Sequence, residues 1–339
     1  MQMTPRLLLV LFACLVPVAT AKAGTPTWPA TLPVFDHIVV VIEENKNYSQ
    51  IIGNKDVPYI NELAAEGASI TQMFGEEHYS QGNYFWLFSG SNQTVGFTDQ
   101  VPTVVNNPDY PFRTSSLGEQ LIKKGLSFKG YAQSLPSIGS EVELAPANCR
   151  KDCVYGRKHI PWISFANVPN GTTVETSSNL RFADFPADYA RLPTVAFVIP
   201  DLDHDMHNGE PRDSIPAGDA WLRQNLDGYY RWAKEHNSLL IVTFDENDDK
   251  ARYSGLTNPL VSPDNELLLD MQNRIVTIFA GAHVRPGTYD EGRGITHVNL
   301  LRTIEAMYGL PQSGAQQPNA AGGGIRDDTI VTDIFQPIK

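Results

Sequence analysis

The feature that most constrains this chain is an apolar run that stops on acid and amide groups, His37-Ile-Val-Val-Val-Ile-Glu43-Glu44-Asn45. From Ile38 to Ile42 there is no polar residue, so neither face of a strand here suits water. Strands buried on both faces belong to parallel sheets covered by helices. In open α/β sheets, ligands collect beyond the carboxyl ends of the strands, so Glu44 and Asn45 stand where a site would form. A second run, Ser238-Leu-Leu-Ile-Val-Thr-Phe-Asp245-Glu246, ends the same way. Either end alone reads as a cap for the next helix. Two buried strands that deliver hard oxygen donors to one edge point instead to a divalent cation.

Strand and helix patterns alternate along the rest of the chain. Val57 to Gly67 has helical spacing at Ile60, Leu63 and Ala64 and stops at a glycine. Ser115 to Lys124 opens with capping residues and stops at Gly125. Leu126 to Ala132, Thr194 to Ile199 and Arg274 to Ala280 read as strands, and Val298 to Tyr308 as a helix. Asp219 to His236 reads as a long amphipathic helix whose stripe of Trp221, Leu222, Leu226, Tyr229, Tyr230 and Trp232 is core packing. His236 at its end complements the helix dipole. The pattern predicts a three-layer α/β/α sandwich with a mostly parallel sheet. Irregular stretches at 88–113, 134–190 and 247–272 are long for connections, and long ordered loops are often functional.

The first 23 residues read as an export signal: Arg6, an apolar stretch from Leu7 to Val18, then Ala19-Thr-Ala21 or Ala21-Lys-Ala23 for cleavage. The expected product is one domain over 24–339, periplasmic or secreted, with no stable membrane anchor. Loss of Arg6 and Lys22 takes 26 basic residues to 24 against 38 acidic ones, and the formal charge from −12 to −14. That balance argues against a nucleic-acid partner. It leaves a small phosphorylated substrate open, because a bound cation reverses the local sign. Of three cysteines, Cys149 and Cys153 survive cleavage and are expected to form a disulfide in an oxidising compartment; two thiols are too few for a zinc site.

Six blocks in order then carry a likeness. They are His37 to Asn45, His78-Tyr-Ser80-Gln-Gly-Asn83-Tyr84, Arg157-Lys-His159-Ile-Pro161, Asp205-Met-His207, Thr243-Phe-Asp245-Glu246 and His297 to Glu305. Together they resemble the bacterial phosphoesterase family of exported acid phosphatases and phospholipases C, within the alkaline-phosphatase-like superfamily. The likeness implies that Ser80 is a nucleophile forming a phosphoserine, which needs a metal to stabilise its alkoxide. It implies Glu44, Asn45, Ser80, Asp245 and Glu246 as metal ligands, with Asn83 touching a phosphoryl oxygen. All-oxygen donors suit Mg²⁺, Ca²⁺ or Mn²⁺ better than Zn²⁺. His159 and His207 match positions that bind or protonate the ester, and protonated imidazoles suit an acidic optimum. Asp205 either orients His207 or ligates the metal. His297 matches a family histidine but precedes a helix, where a capping role is open. The family usually has Pro at the positions of Tyr79 and Gly82; Gly82 is expected to loosen the turn after Ser80. Asp248 and Asp249 read as a solvated loop. The activity implied is that of an acid-phosphatase-type phosphomonoesterase. The alternatives are a phospholipase C-like phosphodiesterase, which is disfavoured by the short chain after Phe335 and the lack of a basic amphipathic segment, and a catalytically silent binding protein of the same fold.

Overall fold

The structure, a computed structural model, describes residues 32–95, 98–248, 273–290, 294–314 and 331–336. The expected export signal and Asp249 lie outside the described residues.

Ile38, Val39, Val40 and Val41 are each 0% exposed. Full burial of such a side chain is worth about 1.5–3 kcal/mol. That outweighs the roughly 1–2 kcal/mol of backbone entropy each residue gives up. They form β1 (His37–Glu43), which lies parallel between β7 (Val195–Ile199) and β8 (Ser238–Phe244). On the β7 side the sheet continues, parallel, through β3 (Phe128–Ala132) to the short β6 (Asn179–Arg181). On the β8 side β9 (Arg274–Gly281) runs antiparallel, and β2 (Ala68–Phe74) antiparallel to β9. Two short strands, β10 (Gly287–Tyr289) and β11 (Ile295–Thr296), add parallel to β2. Every strand of this sheet except β9 therefore points the same way, as the doubly apolar runs require. The ends of β1, β2, β7 and β8 share one edge.

Helices α2 (Pro58–Glu66) and α5 (Pro211–Glu235) pack on each other and on β8, β9 and β2. Asp219 of α5 caps α2, accepting from Tyr59 N at 3.0 Å and Ile60 N at 2.7 Å. The aromatic stripe of α5 is core, and Tyr229 Oη donates to the carbonyls of His37 and Leu239. His236 stacks on Trp232 with ring centroids 4.3 Å apart. α5 begins at Pro211, earlier than the pattern predicts, with Pro216 inside it. A second helical group, α3 (Ser80–Ser89), α4 (Leu117–Lys123) and α6 (His297–Met307), completes the α/β/α sandwich. There Phe88 sits edge-on to Phe197 of β7 and Trp162. The four-residue α1 (Tyr48–Ile51) follows β1.

The stretch 134–190 is ordered around a hairpin of β4 (Leu144–Ala145) and β5 (Tyr155–Gly156), its tip closed by the Cys149–Cys153 disulfide. Leu202 N donates to Val154 O and Asn208 Nδ2 to Cys153 O, tying the hairpin to the loop after β7. Among the described residues, no helix is long and apolar enough to cross a membrane.

Candidate active site

Four loops meet at the shared sheet edge. The first is the end of β1. Glu44 is 0% exposed, and Asn45 turns the chain with φ +53°. That turn aims Asn45 N at Asp245 Oδ1, 3.0 Å away beyond β8. The second is the turn from β2 into α3, where Tyr79 takes φ +83° and Ser80 starts the helix. Ser80 Oγ donates to Glu44 Oε2 at 3.1 Å. The Glu44 and Asp245 carboxylates, 201 residues apart in the chain, are bridged by Asn45, whose N meets Asp245 and whose Nδ2 donates to Glu44 Oε2 at 3.1 Å. The third loop carries His159 on a single 3₁₀ turn, Arg157–His159. The fourth, after β7, carries Asp205 and Met206, the latter at φ +76°. Positive φ in a non-glycine residue is costly and collects at functional sites. Here it occurs next to Glu44, Ser80 and Asp205.

Among the described residues, one ligand atom from each of Glu44, His159 and Asp205 lies within 4.8 Å of the others, and all three residues are buried. His159 Nε2 is 3.0 Å from Glu44 Oε1 without hydrogen bonding to it, and Asp205 Oδ2 is 3.8 Å from His159 Nδ1. Asp205 Oδ2, Asp245 Oδ2, Asn45 Oδ1 and His159 Nε2 are all buried without a hydrogen-bond partner. Orphaned buried polar atoms are rare and call for an explanation. Two of them, on Asp205 and His159, belong to residues of the cluster with Glu44, which fits a cation.

The charges agree. Burial, then Glu44, pushes the Asp205 and Asp245 carboxyls well above the ordinary range, with Glu246 adding at Asp245. Burial, then Asp219 and Glu44, does the same to Glu43. Burial pushes His159 well below its usual value, aided by Lys158 and His207. A neutral imidazole among carboxylates has the form of a metal ligand and not of the protonated group the sequence suggested. With His159 the donor set becomes mixed, so the preference for all-oxygen metals weakens.

The other expected residues fall around this centre. Asp205 Oδ1 accepts from the backbone N of His207 at 2.8 Å, not from its ring, so of its two open roles the geometry favours ligation. His207 is half-buried, with its ring 6.4 Å from that of His159 and Nδ1 at 3.1 Å from Asn208 Oδ1. Glu246 faces His78 Nδ1 at 3.1 Å and is not among the three clustered residues. Asn83 uses its amide within the turn, accepting from Glu76 N and Glu77 N and donating to Glu77 O at 2.6 Å. His297 Nε2 donates to Phe244 O at 2.8 Å, bracing the end of β8, and burial pushes its pKa down to about 4. Asp248 is exposed.

Tyr84 has no role that its motif alone implies, yet it lies inside the site. It donates to Glu44 Oε1 at 2.7 Å and stacks on His159, centroids 4.9 Å apart and planes 12° off parallel. Its spacing of four from Ser80 puts both on one face of α3, a signal the sequence did carry. Lys158 also went unmarked. It pairs with Asp99 Oδ2 at 2.9 Å, while Asp99 Oδ1 accepts from Gln81 N in the first turn of α3. Burial pulls this ammonium down, but Glu44 and Asp99 outweigh that and leave its pKa raised.

The family model described as the Phosphoesterase family matches residues 54–311, which include Ser80, His159, Asp205 and Asp245 but not Glu44 or Asn45. A phosphatidylinositol-3-phosphatase of Mycobacterium tuberculosis is 44% identical over 84% of this chain and 81% of its own. A phosphate-repressible acid phosphatase of Penicillium chrysogenum is 26% identical over 87% of this chain, which spans 64% of that protein. A crystal structure of an alkaline phosphatase superfamily protein from Vibrio parahaemolyticus matches 86% of this chain and 73% of its own with a TM-score of 0.54, at 13% identity, a likeness of fold. With its six blocks in order along a mostly parallel sheet, the chain belongs to the Phosphoesterase family and is a hydrolase of phosphoric esters.

Proposed function

We propose that the chain is an exported, metal-dependent phosphomonoesterase of acid phosphatase type, folded as one domain over 24–339, that works through a phosphoserine on Ser80. The observation that carries this is Ser80 Oγ at the start of α3, hydrogen-bonded to Glu44, whose carboxylate clusters with buried His159 and Asp205. Glu44, Asn45, Ser80, Asp245 and Glu246 would hold the cation, joined by His159 and Asp205. When bound, the cation lowers the pKa of the Ser80 hydroxyl and offsets the charge of the phosphate. Glu44 orients Oγ through the 3.1 Å hydrogen bond, and Tyr84 keeps Glu44 from turning away. Ser80 then bonds to phosphorus as the ester oxygen leaves, and water cleaves the phosphoserine. His207, half-buried and held through Nδ1, would protonate the leaving oxygen. Asn83 would reach a phosphoryl oxygen through the second hydrogen of Nδ2, the first being held by Glu77 O.

The relatives' names favour a monoester over a diester. The Mycobacterium tuberculosis protein is named for removing a phosphate from an inositol lipid, so phosphorylated inositol headgroups join simple aryl phosphates as substrates to assay. The Cys149–Cys153 disulfide supports an oxidising compartment. Ser80→Ala tests the proposal with aryl phosphate monoester and diester, with and without chelator. The variant should stay folded and keep less than about a hundredth of the wild-type rate, as expected for a lost nucleophile. A higher residual rate would remove Ser80 from this role.

A further inference from the structure

Glu77 has no part in the chemistry above, yet its carboxyl is buried at the foot of α3. Oε2 accepts from Trp86 Nε1 at 3.2 Å and from Asn92 Nδ2 at 3.1 Å. A Cβ added to Gly82 would lie 1.7 Å from Glu77 Oε1. Gly82 is not among the positive-φ residues, so glycine here supplies space and not a backbone conformation. The carboxyl fills the room that a side chain, or a proline ring, at 82 would need. The turn is therefore not loosened by Gly82, as the sequence suggested, but stapled. The backbone of Glu77 is fixed as well: its N–H goes to Asn83 Oδ1, and its carbonyl accepts from Asn83 Nδ2 at 2.6 Å and Asn273 Nδ2 at 3.1 Å. The next three residues carry His78, which meets Glu246, and Ser80, which meets Glu44.

We infer that Glu77 is a positioning residue for Ser80: its carboxyl, seated on the bare face of Gly82, locks the turn from His78 to Ser80 against the first turn of α3. The inference rests on the reading of Ser80 as nucleophile. It gives the pairing of Glu77 with Gly82 a purpose, since a nucleophile displaced by about 1 Å can lose about a hundredfold in rate. The side chains that meet the carboxyl from α3 and from the loop after it, Trp86 and Asn92, are neutral. Burial pushes its pKa up to about 7, against the hydrogen bonds from Trp86 and Asn92, which lower it. Acid thus turns a charged acceptor into a neutral one and weakens both hydrogen bonds to Oε2.

The test uses the full chain in four variants: E77Q, which keeps the volume but leaves the two donors a neutral acceptor; E77A, which removes the carboxyl; G82A, which drives a methyl into the carboxyl; and E77A/G82A, in which the methyl takes the vacated space. Each is checked for folding by circular dichroism and assayed on an aryl phosphate across pH. E77Q and G82A should lose about 10- to 100-fold in kcat with KM little changed. The double variant should be more active than the product of the losses in E77A and G82A predicts, and E77Q should lack the wild-type inflection of kcat near pH 7. If E77Q and whichever of the others fold keep kcat within about twofold, even at a lowered Tm, Glu77 is only structural and the inference falls. Ser80→Ala is run alongside. An active Ser80→Ala overturns the nucleophile and this inference together, whereas an inactive one beside a fully active E77Q overturns this inference alone.

Discussion

Tyr84→Phe removes one oxygen from the centre of the site and leaves nearly everything else in place. The Tyr84 hydroxyl donates to Glu44 Oε1 at 2.7 Å, and the two residues are 1% and 0% exposed, so no water takes over the bond. A hydrogen bond to a charged, buried acceptor is worth about 1.5–3 kcal/mol. At about 1.4 kcal/mol per factor of ten, that is roughly a 10- to 100-fold effect. The stack on His159 persists in the variant, because it involves only the ring. The loss should therefore appear in how well Glu44 is held for a cation, and partners of metal ligands typically govern affinity by about that factor. Calorimetric titration of chelator-stripped protein with Mn²⁺ measures it without any turnover. The variant should bind about 10- to 100-fold more weakly with little change in Tm. Equal or tighter Mn²⁺ binding, with a drop in Tm, would show that Tyr84 merely packs and that its bond to Glu44 serves no cation.

Reduction of Cys149–Cys153, or its replacement by two alanines, should lower stability by about 2 kcal/mol, the chain-entropy value for so short a loop. The check is a thermal melt with and without dithiothreitol; an unchanged Tm would refute it. His297→Gln should flatten the loss of stability on acidification. In the folded chain His297 titrates near about 4, but in the unfolded chain near about 6.5, so the unfolded state takes up the proton first as pH falls. That costs up to about 3 kcal/mol between those two pH values. Urea melts of both proteins at several pH values across that window measure the difference, from which the oppositely signed shifts of Glu43, Asp205 and Asp245 cancel. Parallel curves would refute it.

What was legible in the sequence was whatever burial on two faces or helical periodicity dictates. β1 and β8 could be nothing but inner strands, and their ends had to share an edge once both were parallel. β2 escaped notice because Ser69, Thr71 and Gln72 interrupt its apolar pattern, and the start of α5 because Pro216 stands inside it. The place of His159 could not be read at all. It lies in an irregular stretch whose position is set by a disulfide-closed hairpin and by bonds to the loop after β7. The same holds for Asp205: its neighbour His207 suggested a partner, but the backbone turn at Met206 sends one carboxylate oxygen to an amide and leaves the other facing the cluster.

The two departures from the family pattern show why single positions mislead. Tyr79 and Gly82 each stand where the resemblance implies Pro, and taken separately each reads as a small loss of rigidity. In the fold they belong to one turn. Tyr79 adopts φ +83°, which the pyrrolidine ring of proline cannot reach, so this route into α3 excludes proline at 79. That route runs straight on from Glu77, whose carboxyl occupies the space a ring at 82 would need. The rigidity that two prolines would have supplied covalently is supplied instead by the hydrogen bonds of Trp86, Asn92 and Asn83 to Glu77. If Glu77 positions Ser80 as proposed, a restraint made of hydrogen bonds to a carboxyl group is open to protonation in a way that proline rings are not, so the exchange of one restraint for the other predicts a pH dependence.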